Sequence, residues 1–243
     1  MKKTIRYLLM TLLAASAANA FAFTFQPMFV RLDATGPGNV QTFEVRNEGD
    51  ESLPVRFSVL PRTVGPDGVE GNEDASALFT VYPPRLVVEP RSTAAVKLQW
   101  NGPAGLATER AFRLIAESVA LDSGKPATSG IRVMVRYIAS IYVGEADFSP
   151  ELVSSVKGAT GPKGEKGFNV EIVNRGTRHV VAESAILSIK GAKDGVLALG
   201  SEDLGALSDA NYLPGYPRRL FIPRVEAIAG TTYDAQIDYD AVY

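Results

Sequence analysis

Short runs of alternating apolar and polar residues, broken by Gly, Pro, Asn and Asp, fill the chain from residue 23 to 143. That period predicts antiparallel strands with one dry face and one wet face. Leu53, Val55, Phe57 and Val59 share one side of such a run, with Arg56 and Ser58 on the other; Val96, Leu98 and Trp100 alternate with Lys97 and Gln99. Phe43 and Val45 mark a strand that ends at Asn47-Glu48-Gly49-Asp50, and Phe112, Leu114 and Ala116 mark another after the turn Asn101 to Gly105. No stretch carries an apolar i, i+3, i+4, i+7 stripe of helical length, so about seven strands in this half predict an immunoglobulin-like sandwich.

Alternation stops at Gly144-Glu145-Ala146-Asp147-Phe148-Ser149-Pro150, which places a domain boundary there. Beyond it the same period restarts. Phe168, Val170 and Ile172 form one row, Ala185, Leu187 and Ile189 another, and Tyr233, Ala235, Ile237, Tyr239, Ala241 and Tyr243 a last strand with Asp residues on its wet face. The expected units are a first domain over 21–144 and a second β-sandwich over 145–243. Between two strands of the second, Gly158 to Gly167 carries glycine at every third position. Three triplets are too few for a collagen helix, so the segment is expected to be a flexible hairpin loop.

The first twenty residues follow a different logic. Lys2, Lys3 and Arg6 precede an apolar run from Tyr7 to Ala15 and then Ala18-Asn19-Ala20, the layout of a secretory signal peptide with cleavage after Ala20 or, as second choice, Ala22. The run is too short for a membrane span. Export would remove three cations from the 25 Lys and Arg, leaving 22 against 27 acidic residues, a balance that disfavours nucleic acid as partner. Without a single cysteine there is no disulfide framework, thiolate nucleophile or Cys-based zinc site.

Catalysis needs convergent nucleophiles, acids, bases or metal ligands, and the chain offers few. His179 is the only histidine, and no G-x-S-x-G, phosphate loop, dinucleotide fingerprint or HExxH is present. His179 reads as a strand-edge residue bonded locally, and Asp234, Asp238 and Asp240 as a solvated strand face rather than a calcium loop. No enzyme activity, metal or cofactor is expected. Arg113 points opposite to Phe112 and Leu114, which reads as an outward, solvated position. The segment Ile131 to Tyr142 is unusually long and apolar, with Ile131, Val133 and Val135 on one face and Arg132 and Arg136 interspersed. It is either a central strand covered on both faces or an open edge, which would invite pairing with another chain.

Five segments together resemble the periplasmic pilus chaperones of the chaperone-usher pathway: Phe79 to Pro90, Glu109-Arg110-Ala111-Phe112, the strand Ile131 to Tyr142, Val173-Asn174-Arg175-Gly176 and Tyr212-Leu213-Pro214-Gly215. The resemblance spans nearly all of the mature chain. It implies two consecutive immunoglobulin-like β-sandwich domains in an L-shaped arrangement, a periplasmic location, and pilus subunits and an outer-membrane usher as partners, with no small-molecule substrate. It further implies that Ile131, Val133 and Val135 complete a subunit lacking its final strand, and that basic residues between the domains anchor the subunit's terminal carboxylate. Arg31 matches the first-strand arginine of that anchor. For the second cation the family pattern has a lysine where Tyr137 stands, which leaves Arg136 and Arg113 as candidates. Val87 stands where many members carry an arginine paired with the strand-start glutamate, here Glu109. A pilus subunit or adhesin with two sandwich domains is the competing class, but Phe21 to Pro27 is too short for the donor extension a subunit carries after its signal peptide.

Overall fold

The computed structural model describes residues 23–71, 76–119, 134–192 and 195–242. The predicted signal segment lies outside them, as do Ile131 and Val133. The strands are β1 (Phe23–Gln26), β2 (Phe29–Asp33), β3 (Val40–Asn47), β4 (Leu53–Pro61), β5 (Thr63–Val64), β6 (Glu70–Gly71), β7 (Phe79–Tyr82), β8 (Arg85–Val88), β9 (Thr93–Trp100), β10 (Arg110–Ser118) and β11 (Arg136–Gly144). There follow β12 (Leu152–Thr160), β13 (Lys166–Asn174), β14 (Val180–Lys190), β15 (Val196–Leu199), β16 (Asn211–Tyr212), β17 (Arg218–Pro223) and β18 (Thr232–Val242). The protein is almost wholly β.

Two sheets of opposite make-up enclose the first core: β1-β3-β9-β7 on one side and β2-β11-β10-β4-β8 on the other. Their inner faces are the apolar rows of the sequence. Phe25, Phe43, Val96, Leu98 and Trp100 meet Phe57, Val59, Phe112, Leu114 and Ile141, all buried in one cluster. Phe79, Trp100 and Phe112 stack edge to face and tilted, with centroids 4.9 to 5.6 Å apart, which adds specific aromatic geometry to the burial. The chain crosses from the first sheet to the second at Pro27 and again at Pro83-Pro84. Proline has no N–H to give a ladder, so a strand ends there and its continuation is free to join the other layer.

The second core lies within one continuous sheet folded upon itself, in the order β15-β14-β18-β12-β13-β17 with β16 alongside β14. Its two arms join at Val156 with Tyr233 and Lys157 with Thr232, extended by Gly158 N–H donating to the Thr231 carbonyl (2.8 Å). Phe168, Val170 and Ile172 of one arm pack on Leu187, Ile189 and Ile237 of the other. In β14 the buried positions change parity, from Val180 and Ala182 to Ala185, Leu187 and Ile189. A bulge between Glu183 and Ile186, with Ser184 at φ +52°, inserts the residue that makes the change possible.

The glycine-rich stretch differs from its expectation. Gly158 to Thr160 and Lys166 to Gly167 belong to the paired strands β12 and β13, and only 161–165 turn, closed by Gly161 N–H donating to the Glu165 carbonyl (2.7 Å). Gly158 sits in close contact with the backbone of Ile228, and a β-carbon would occupy the same space. Close approach of two backbones, not loop flexibility, accounts for that glycine.

Candidate functional site

The outer face of the sheet β2-β11-β10-β4-β8 carries Phe29 and Arg31 from β2, Arg136, Ile138, Ser140 and Tyr142 from β11, and Arg113 from β10. Alternation along each strand puts them there, because Val30, Leu32, Ala139, Ile141, Phe112 and Leu114 take the inner face. All three candidate anchor arginines therefore share one surface. Arg31 stands beside Tyr142 in the parallel register of β2 and β11, whereas Arg113 stands beside Ser140 on the opposite flank. Arg136 lies farther along β11, exposed and paired with Glu117 in the ladder, near the ion pair of Arg56 and Glu117 (2.8 Å).

Their surroundings differ sharply. Arg113 is not the solvated residue that its outward position suggests: its side chain is 18% exposed. Its Nε and a terminal nitrogen donate to both oxygens of Glu70 (3.1 and 2.6 Å), and its other terminal nitrogen donates to the Ser140 hydroxyl. Arg62 donates to the same Glu70 (2.7 Å) and to the Tyr142 hydroxyl (2.9 Å). Burial alone would raise the Glu70 pKa, but the hydrogen bonds and charges of Arg113 and Arg62 together hold it below the ordinary glutamate value. Arg31 donates through a terminal nitrogen to the Glu145 carbonyl, and its buried Nε has no partner among the described residues.

The lone histidine is not bonded locally. His179 is buried against Glu109, seventy positions away: its Nδ1 lies 2.5 Å from Glu109 Oε1, and its backbone N–H donates to the same oxygen (3.0 Å). Its ring lies parallel to Tyr142 at 3.6 Å, with Phe29 against both. Thus the strand-start glutamate does have a partner across the two cores, and it is a histidine, while Val87 stands exposed elsewhere. Nearby, Val64, Tyr142 and Leu213 form a small buried cluster, and Asn211 donates to the Tyr142 hydroxyl (2.8 Å). Sequence reading missed this junction because a glutamate and a histidine so far apart carry no shared period.

The segments around Asn174 and Tyr212 also meet. Asn174, fully buried, donates to the Arg178 and Tyr212 carbonyls and accepts from the backbone N–H groups of Glu151 and Gly176. Gly215 N–H donates in turn to the Asn174 carbonyl (2.8 Å).

Among the described residues β11 has one stretch of edge without a strand partner. Ser118 N–H donates to the Val135 carbonyl, so in the antiparallel ladder the odd residues of β11 bond β10; Ser140 N–H donates to Met28, so the even residues face β2. The register of β2 begins only at Ser140. Arg136 and Ile138 consequently turn their backbone donors and acceptors to an edge without a strand partner among the described residues. Val135, half-buried at the rim of the first core, precedes them. Among the described residues no group of three or more His, Cys, Asp or Glu is placed to hold a metal ion.

Comparison with solved structures places this architecture. The class 5 fimbriae chaperone CfaA superposes with a TM-score of 0.58 at 14% identity, over 90% of this chain and 100% of that one. The chain has the fold of the fimbrial chaperones. YadV chaperone matches with a TM-score of 0.54 at 13% identity, over 91% of this chain and 93% of its own. A chain of the CsuC–CsuE chaperone–tip adhesion subunit pre-assembly complex of Acinetobacter baumannii matches with 0.52 at 12%, over 82% and 89%. No protein-family model matches the sequence, and no curated protein is similar to it in sequence. The likeness is one of fold.

Proposed function

We propose that this chain is an exported periplasmic chaperone that binds pilus subunits, completes their fold with its own strand, and passes them to an outer-membrane usher. In this reading residues 1–20 are the signal peptide, 21–144 the strand-donating domain and 145–243 its partner domain. The observation that carries it is the edge of β11 at Arg136 and Ile138, which has no strand partner among the described residues, on an arginine-lined face in a chain with the fimbrial chaperone fold. An incomplete sandwich adding itself to that edge would gain ladder hydrogen bonds, while alternating side chains fill its groove. Ile131, Val133 and Val135 are the proposed donor row, and Val135 marks where it leaves the protein's own core.

Arg31 is the proposed anchor for the subunit's terminal carboxylate, because its partly buried guanidinium, on the same sheet face, has an Nε without a partner among the described residues. Arg113 and Arg136 are the candidates for a second cation; Arg113 is the nearer to Arg31, since their ladder partners on β11 are Ser140 and Tyr142. The test is co-expression of the tagged chain with the products of neighbouring genes, followed by periplasmic pull-down. Stoichiometric recovery of a subunit is expected; recovery of the chain alone from cells that make subunits would refute the reading.

A further inference from the structure

Glu70 sits where the second half of a carboxylate anchor would act. The hairpin β5–β6 crosses from the first core to the second: Val64 is buried with Tyr142 and Leu213, and the Pro66 carbonyl accepts from Arg219 N–H (2.8 Å). Its turn is closed by Gly65 N–H to Val69 (2.8 Å), with Gly68 at φ +87°. From this support Glu70 reaches back over the outer face and fills the fork of Arg113 with both oxygens. A planar guanidinium holding two carboxylate oxygens through Nε and a terminal nitrogen is the geometry in which a chain-terminal carboxylate would be held.

We propose that Glu70 is an internal competitor for the anchor, occupying Arg113 in the free protein and yielding it to a subunit's terminal carboxylate. This rests on the carboxylate-anchor reading above. Three observations favour a competitor over a fixed strut. Among the described residues the hairpin has two ladder pairs, Thr63 with Gly71 and Val64 with Glu70, so moving its second strand breaks little. Its attachment runs through Val64 and Pro66, which do not depend on Glu70. Arg62, bonded to the same carboxylate, can keep Glu70 as counter-ion when Arg113 is taken. In the free state the competitor also keeps a half-buried arginine satisfied, whose charge would otherwise attract any stray anion.

The probe is a short peptide of alternating apolar residues ending in a free carboxylate, set against the same peptide amidated. Binding is measured to the parent protein, Glu70→Gln, Glu70→Gln with Arg113→Ala, and Arg31→Ala. Glu70→Gln should bind the free carboxylate about tenfold tighter than the parent, with no gain for the amide, because the freed fork gives it charge-assisted bonds. Adding Arg113→Ala should erase the gain. Glu70→Asp, which keeps the charge on a shorter arm, should fall between and guards against a folding defect in the neutral variant. Equal or weaker binding of the carboxylate by both Glu70 variants overturns the competitor, even where the parent prefers carboxylate and Arg31→Ala abolishes that preference. If no protein distinguishes carboxylate from amide, the anchor reading falls and takes the competitor with it.

Discussion

At the scale of single residues, the described parts of the two halves share a device. Asn47 and Asn174 each end a strand, each is followed two positions later by glycine, and each spends its side chain on backbone groups. Asn47 accepts from Gly49 N–H and donates to the Val88 carbonyl, as Asn174 accepts from Gly176 and donates to Tyr212. Replacing Asn174 by Ala would strand buried backbone donors and acceptors, each costing about 1–3 kcal/mol. A fall in unfolding free energy of at least about 2 kcal/mol is expected in denaturant titrations, against little change for exposed Arg136→Ala. On the proposed reading the arginines separate by function instead. Arg31→Ala is expected to fold and reach the periplasm yet lose subunit capture, since a lost anchor in a partly buried cleft costs about 2–5 kcal/mol. Arg31→Lys should rescue only in part, because it keeps the charge without the fork. Pull-downs of Arg31→Ala, Arg113→Ala and Arg136→Ala side by side, with circular dichroism for folding, check this; parental capture by Arg31→Ala would place the anchor elsewhere.

At the scale of elements, parity decides what each strand is for. Even residues of β11 aim their backbone at the β2 side and odd residues at β10. Ile138→Pro removes an N–H that no described strand uses and is expected to fold with little thermal shift while failing to capture subunits. Tyr137→Pro removes a ladder bond to β10, along with the edge-to-face contact of Tyr137 with Phe23, and should destabilise the isolated protein by about 1–3 kcal/mol. Thermal melts and pull-downs of the pair separate the two edges; equal behaviour would mean that the free edge is not the binding edge. The β12–β13 turn offers a contrast. Replacing Pro162, Lys163 and Gly164 by Asn-Gly leaves a two-residue connection of the kind hairpins favour between Gly161 and Glu165, which are already hydrogen-bonded. The melting temperature should hardly move, whereas removing Lys166 as well would cut a ladder pair. The alternating rows of β4, β9, β13 and β18 were legible in the sequence because a half-buried strand writes period two into its side chains. β14 was only partly so: its two rows are visible, but their joint at Ser184 is a backbone event that leaves no apolar mark.

At the scale of the molecule, the two cores meet through Glu109 with His179, Tyr142 with Leu213, and the hairpin that holds Glu70 to Arg113 and Arg62. Because the folded-state pKa of Glu70 is lowered, its ion pairs contribute stability that is complete above the unfolded glutamate value, near pH 4.3, and fades as pH falls through the lower folded value. Glu70→Gln should therefore narrow the difference in melting temperature between pH 6 and pH 3; an unchanged acid limb would show that other carboxylates govern it. Sequence alone determined the all-β character, the restart of alternation after residue 150 and the outward position of Arg113, because these follow from local period and turn chemistry. It also placed Arg31, Arg113 and Arg136 as candidate cations. Only the tertiary structure decided that all three share a sheet face, that Glu70 fills Arg113, and that the single histidine closes the junction. Those facts depend on loop closures that bring residues 31, 70, 109 and 179 together, and contacts between distant segments leave no periodic trace in the chain.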